Sequence, residues 1–229
     1  MSCFIRGDAL KTLKSQIKSK SIDLIYFDPP FGTTRQVWDE KQDWPAIFTE
    51  CFRVLKDRGM LVIHCSIPFN YELIRAAPKP PSHSWYWLKE SPTCPLIANQ
   101  QPLRQVEEIL VWKNKRNAYY RQQIGDEPRV VQNSSGSDYY MRNIHAGEHI
   151  LRGKTRSHFL NMRRSLDGFS TRPKEMIQLM IDSYSQAGDT VLDLFCYNGI
   201  SSTCCAGRKW IGIDKNFYPM LLDGLTRGS

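Results

Sequence analysis

The chain has 229 residues, 41% of them hydrophobic, which is enough for one domain with a modest insertion and a real core. No apolar run reaches membrane-span length and no apolar signal segment opens the chain, so the expectation is a soluble, intracellular protein, cytoplasmic or nucleoid-associated. Seven cysteines, an odd number without a C-x-x-C pair, argue against a disulfide framework or a zinc ribbon, and a formal net charge of +8 favours a polyanionic partner.

In chain order, residues 3–6 read as a short strand ending in Gly7-Asp8, and residues 9–17 as a short helix. The apolar run Ile22-Asp23-Leu24-Ile25-Tyr26-Phe27 predicts a buried strand. Asp43-Trp44-Pro45 starts a helix whose apolar face carries Ile47, Phe48, Cys51, Phe52, Val54 and Leu55, with Gly59 as its stop. Residues 60–66 form a further buried strand, and residues 69–77 a helix ended by Pro78, Pro80 and Pro81. Residues 84–89 and 105–112 pair as longer strands across a Pro- and Asn/Gln-containing loop.

From 113 to 170 the periodicity fades into polar, Arg- and Tyr-rich sequence with a Ser134-Ser135-Gly136-Ser137 patch. This stretch holds 11 Lys+Arg against 5 Asp+Glu, a difference of +6, and so most of the excess charge. Order returns with a helix over 173–186, stopped by Gly188, and a strand over 190–195. A tight turn through Asn198-Gly199 leads into a helix of small residues, and a strand over 209–213 ends at Asp214. Strands alternating with helices predict an α/β fold, a parallel sheet with helices on both faces.

Two stretches carry chemistry. Asp28-Pro29-Pro30-Phe31 places an acid, two donor-less prolines and a ring at the carboxyl end of a strand. A carboxylate and carbonyls there accept hydrogen bonds from an amino group while the ring stacks, which suits a nucleobase with an exocyclic NH2. The second stretch, Val191 to Ser202, is a strand, a turn and a helix start, a geometry that receives a ligand's carboxylate or phosphate. About 20 residues past Asp193, Asp214 is placed to accept from ribose hydroxyls. The same stretch also reads as an ordinary strand-to-helix turn, and Ser201 and Ser202 as simple caps.

Together these stretches resemble the S-adenosylmethionine-dependent DNA amino-methyltransferases, which methylate exocyclic nitrogens of bases. Asp28-Pro29-Pro30-Phe31 is similar to the family's D-P-P-Y/F, and Phe195-Cys196-Tyr197-Asn198-Gly199 to its F-x-G-x-G. Gly7-Asp8-Ala9-Leu10 resembles an opening G-D-S/A-L, residues 106–112 a strand closing the catalytic half, and Ser170-Thr171-Arg172-Pro173-Lys174 the P-T-x-K-P segment. Catalytic motif first and cofactor motif last is the arrangement of the beta class. Three positions depart: Tyr197 replaces the first glycine of the cofactor turn, Pro173 and Lys174 are swapped, and Phe31 stands for the commoner Tyr. With Tyr197 there, its ring must point away from the methionine pocket or reshape it.

The resemblance implies a Rossmann-like methyltransferase sheet with circularly permuted motif order and a small basic target-recognition insertion. Residues 1–112 would be the catalytic half, 113–170 the target-recognition segment and 171–229 the cofactor-binding half. Asp28, Pro29, Pro30 and Phe31 would be catalytic, with no metal required. S-adenosylmethionine would be held by Asp8, Ala9, Asp28, Thr171, Asp193, Phe195, Cys196, Tyr197, Asn198, Gly199, Ser201, Ser202 and Asp214. Double-stranded DNA would meet Arg121, Arg142, Arg152, Lys154, Arg156, Arg163 and Arg164, although many such arginines serve only as a solvated basic face. Tyr119, Tyr120, Tyr139 and Tyr140 could pack on sugar or base, and His145, His149 and His158 read as surface or phosphate-contacting groups. Asp in the first catalytic position implies adenine-N6 as the target. The alternatives are cytosine-N4, a non-catalytic subunit that kept the fold, and an RNA or protein substrate. A homodimer and a cognate restriction endonuclease acting on the same site stay open.

Overall fold

The architecture is built around Ile22–Phe27 (β2), whose side chains are buried on both sides of a sheet. Ile25 and Phe27 enter one core, and Leu24 and Tyr26 the other, as the two-residue period of a strand requires. The computed structural model describes residues 2–32, 36, 39–93, 95, 98–133, 147–155, 157–162, 172–216 and 226–227, with side chains described for all of these but 124–133, 147–155 and 226–227.

The remaining strands are Ser2–Arg6 (β1), Leu55–Cys65 (β3), His83–Thr93 (β4), Arg104–Lys113 (β5), Gln123–Asn133 (β6), Gly147–Thr155 (β7), Phe159–Met162 (β8), Thr190–Asp193 (β9), Lys209–Asp214 (β10) and Thr226–Arg227 (β11). The helices are Ala9–Gln16 (α1), Trp44–Val54 (α2), Phe69–Ala76 (α3) and Lys174–Tyr184 (α4). Nine of the described strands form one sheet in the order β11-β1-β10-β9-β2-β3-β5-β4-β8. The first core packs α1, α2 and α3 on one face of this sheet, and the second packs α4 on the other.

The sheet is mixed where the sequence predicts a parallel one. β5 runs against both β3 and β4, while the other described pairs within the sheet are parallel. The cause is the ten-residue connection 94–103, too short for the crossover that parallel neighbours need. Nor does α2 run on to Gly59. Leu55 turns extended and pairs with Ile22, and Gly59 lies inside β3, where a Cβ would come within 2.7 Å of Leu55 Cδ2. Asp43 caps α2 by accepting from the Ala46 N–H at 3.1 Å.

Two further differences concern the later chain. The stretch predicted as irregular contains the antiparallel ribbon β6-β7, while β8 joins the main sheet beside β4. The chain accordingly divides into Met1–Tyr120 with His158–Ser229 and a second compact unit, Arg121–Ser157. Strand β9 stops at Asp193, and the turn beyond it leads into a five-residue 3-10 helix, Ile200–Cys204, instead of an α-helix. No described helix is long and apolar enough to cross a membrane.

Candidate active site

Strand register sets four acids along one edge of the sheet. Arg6 is level with Asp214, Gly212 with Asp193, and Leu192 with Ile25. Asp8 just past β1, Asp214 and Asp193 ending β10 and β9, and Asp28 just past β2 therefore stand side by side at the carboxyl ends of parallel strands. Between β9 and β2 the strand order reverses direction, the place where open α/β sheets bind ligands.

The turn after β9 is held from both sides. The Tyr197 N–H donates to Asp214 Oδ2 at 2.8 Å, and the Asn216 N–H donates to Asp214 Oδ1 at 2.7 Å. The Gly199 N–H donates to the Cys196 carbonyl at 2.7 Å, and Asn198 Oδ1 accepts from the Ile200 N–H. Gly199 adopts φ +74, and Tyr197 adopts φ +46, a left-handed conformation that a glycine would take without strain. Tyr197 is 46% exposed, so much of the residue faces solvent. Cys196 is buried, and burial pushes its thiol up, away from reactivity.

Beneath the turn, Asp193 is 5% exposed. It accepts from the Ser201 hydroxyl at 2.5 Å, and Ser201 in turn accepts from Trp210 Nε1 at 2.9 Å. Ser201 is thus committed to the interior, and on a 3-10 turn it lacks the α-helix N-terminus on which its expected carboxylate-binding role rested. Ser202 is half-buried. Burial raises the Asp193 carboxyl to about 7, against which the hydrogen bonds from Ser201 and the Phe195 N–H pull down. Asp8 accepts the Lys11 N–H at 2.9 Å as the cap of α1 and meets Lys215, which also bridges Glu40. Ala9 is buried at the first turn of α1.

The catalytic motif sits where β2 ends. Phe31 stacks on Phe69 at 4.8 Å, and Phe69 meets Trp44 edge-on at 5.4 Å. Phe195 joins this aromatic cluster through Phe27 at 5.5 Å and Trp44 at 6.2 Å. Asp28 follows Tyr26 by two residues and so falls on the α4 side of the sheet. There Arg172 donates to Asp28 Oδ1 at 2.8 Å. The same guanidinium nitrogen lies 3.0 Å from Glu107 Oε2, and Lys89 Nζ lies 2.6 Å from Glu107 Oε1. Both cations lie against the Trp87 ring. Desolvation raises the Asp28 carboxyl, Arg172 pulls it down, and Glu107 adds to the rise.

Arg172, Glu107 and Lys89 are absent from the sequence-predicted site. For Lys89 and Glu107 the signal lay in the strand period: Lys89 shares a face with Trp85 and Trp87, and Glu107 with Ile109 and Val111. A charge at a buried strand position needs a partner. Of the other expected residues, Thr171, Arg142, Arg156, Arg163 and Arg164 lie outside the described residues. Arg152 and Lys154 occupy β7 positions paired with Pro128 and Ile124, and Arg121 opens the second compact unit.

A mixed sheet of this order, with an acid-lined edge beside an Asp-Pro-Pro-Phe turn, is the arrangement expected of an amino-methyltransferase. The donor set fits S-adenosylmethionine: carboxylates suit ribose hydroxyls and the ligand's cationic sulfonium and ammonium groups. The model of the DNA methylase family matches residues 22–218, and the chain belongs to that family of S-adenosylmethionine-dependent enzymes acting on amino groups of DNA bases. It is 26% identical to the DNA adenine methyltransferase YhdJ of Escherichia coli (strain K12), over 93% of this chain and 78% of that protein. It is also 26% identical to the type II methyltransferase M.HpaI of Haemophilus parainfluenzae, over 93% of this chain and 69% of that one. Among solved structures, the M1.HpyAVI–SAM complex superposes with TM-score 0.59 at 18% identity, covering 94% of both chains. The cytosine-N4-specific PvuII DNA methyltransferase does so with TM-score 0.62 at 15% identity, covering 95% of this chain and 82% of the other.

Proposed function

We propose that this protein transfers a methyl group from S-adenosylmethionine to the exocyclic N6 of adenine in a specific DNA sequence. The observation that carries the reading is Asp28, an acid at a strand end beside the ligand edge, followed by Pro29, Pro30 and a stacked Phe31. The cofactor supplies an activated methyl group, so this chain has to align the nucleophile. An aromatic amino nitrogen is a poor nucleophile because its lone pair is delocalised into the ring. Asp28 and the Pro29 carbonyl accept its two hydrogens, which favours a pyramidal nitrogen with its lone pair aimed at the methyl group. The nitrogen loses its proton after transfer, when it is acidic, so Asp28 need not be a strong base. Phe31, backed by Phe69, stacks on a base flipped out of the duplex.

Asp8, Ala9, Asp193, Phe195 to Gly199, Ser202, Asp214 and Thr171 serve the cofactor in this reading, with Asp8 toward the adenine ring, Asp214 toward the ribose and Thr171 toward the methionine. The ribbon unit Arg121–Ser157 reads the target, with Arg121, Arg142, Arg152, Lys154 and Arg156 on phosphates or base edges and Arg163 and Arg164 flanking it. The motif order corresponds to the permuted beta class. Similarity to a type II methyltransferase extends the proposal to a cognate endonuclease reading the same site. A homodimer rests on the class resemblance alone.

The adenine assignment is supported by Asp in the first catalytic position and by similarity to a DNA adenine methyltransferase. Cytosine-N4 is the second reading, favoured by the fold match to a cytosine-N4 enzyme. Mass spectrometry of nucleosides from unmethylated genomic DNA, treated with protein and S-adenosylmethionine, separates them. N6-methyladenine is expected; N4-methylcytosine alone would overturn the adenine assignment.

A further inference from the structure

We propose that Arg172 is a positioning residue for Asp28, holding Oδ1 so that Oδ2 is left to accept the amino hydrogen of the target base. The inference rests on Asp28 being the amino acceptor. Arg172 is 8% exposed and comes from a part of the chain 144 residues away, just ahead of α4. Asp28 keeps 34% of its side-chain surface, so the carboxylate is pinned at one oxygen while still reaching the cleft. Among the described residues Arg172 is its one hydrogen-bond partner.

The guanidinium is itself fixed. Glu107 stands 3.0 Å away, anchored in turn by Lys89 at 2.6 Å, with the Trp87 ring packed against both cations. Two acids and two bases, Asp28, Glu107, Arg172 and Lys89, balance in formal charge, and all but Asp28 are buried. One terminal guanidinium nitrogen reaches both carboxylates, and its charge is permanent. The quartet also sets the charge of Asp28. Facing it are Tyr26 on β2, Cys65 on β3, Glu107 on β5, Asp193 on β9 and Arg172, while His64 on β3, held neutral by burial, faces Arg172. Of these only Arg172 is held as a cation, so only it favours the carboxylate. Without it, burial and Glu107 act unopposed and Asp28 takes up its proton at higher pH, where its protonated oxygen no longer accepts.

The test is an NMR titration of the protein with its aspartates 13C-labelled at the carboxyl carbon, the Asp28 signal being identified by its loss in Asp28→Asn. Arg172→Met should raise the Asp28 midpoint by about one unit or more. The acid limb of the methyl-transfer pH profile should move up with it, and turnover on unmethylated DNA should fall about 100-fold, while S-adenosylmethionine affinity changes little. Glu107→Gln should move the midpoint the opposite way, and it stands as the test if Arg172→Met does not fold. A midpoint unmoved by the Arg172 change, or raised by the Glu107 change, overturns the proposal. Asp28→Ala separates the two levels: if it still turns over, the assigned role of Asp28 fails; if it is inactive while Arg172→Met keeps the wild-type midpoint and profile, only the positioning role fails.

Discussion

Gly212→Ala tests how the cofactor turn is built from below. Gly212 lies on β10 level with Asp193, and a Cβ there would collide with Trp210 Cη2 and come 2.8 Å from Cys196 Sγ. The Trp210 ring is fully buried and cannot swing into solvent. It also donates to Ser201 at 2.9 Å, which donates to Asp193. Overpacking a core of this kind costs about 1–3 kcal/mol, and the displaced indole gives up a hydrogen bond worth about 1 kcal/mol. The sum, roughly 2–4 kcal/mol, lowers Tm by about 4–16 °C in a chain of this size. Thermal unfolding monitored by circular dichroism measures the loss. Calorimetry with S-adenosylmethionine should show weaker binding, because the Ser201–Asp193 pair moves with the ring. A variant melting within about a degree of wild type with unchanged affinity would refute the idea that Trp210 supports the turn.

Tyr197→Gly should stabilise. The left-handed conformation at φ +46 costs a tyrosine about 1–2 kcal/mol, and glycine's extra unfolded-state entropy takes back about 0.5–1 kcal/mol, so Tm rises by a few degrees at most; a fall in Tm would contradict strain at this position. Asp193 should make stability pH-dependent. Its carboxyl, ordinarily near 4, titrates at about 7 in the fold, so the folded protein holds the proton more tightly. The contribution is full below the unfolded value and lost as pH rises to about 7, amounting to about 2 kcal/mol between pH 5 and 7. Denaturant melts of wild type and Asp193→Asn should therefore differ in slope across that window, and parallel curves would rule the shift out.

Both faces of β2 were apolar in the sequence apart from Asp23, so a buried central strand was legible there, and with it the place of Asp28. The turn from Asp193 to Gly199 and the acid at Asp214 were readable because glycine, asparagine and strand-end acids have local causes. The reversal of β5 was not, since it depends on which strands become neighbours. The ribbon β6-β7 was hidden by its polar sequence, which lacks the alternation that marks a half-buried strand. Arg172 escaped for another reason. Its partners Asp28 and Glu107 lie 144 and 65 residues away in sequence, and only packing of α4 against the sheet brings them together. What the chain did show were Lys89 and Glu107 at inward positions of strands, charges that had to be answered by something.

The central claim is that Asp28 aligns an amino group for methyl transfer. Wild type and Asp28→Ala should be given S-adenosylmethionine carrying a labelled methyl group and unmethylated DNA, with cofactor binding measured by calorimetry in parallel. Label should enter the DNA with wild type and fall by about 10³-fold with Asp28→Ala at nearly equal cofactor affinity. Transfer by Asp28→Ala within tenfold of wild type, or no transfer by wild type to any DNA, would contradict the account.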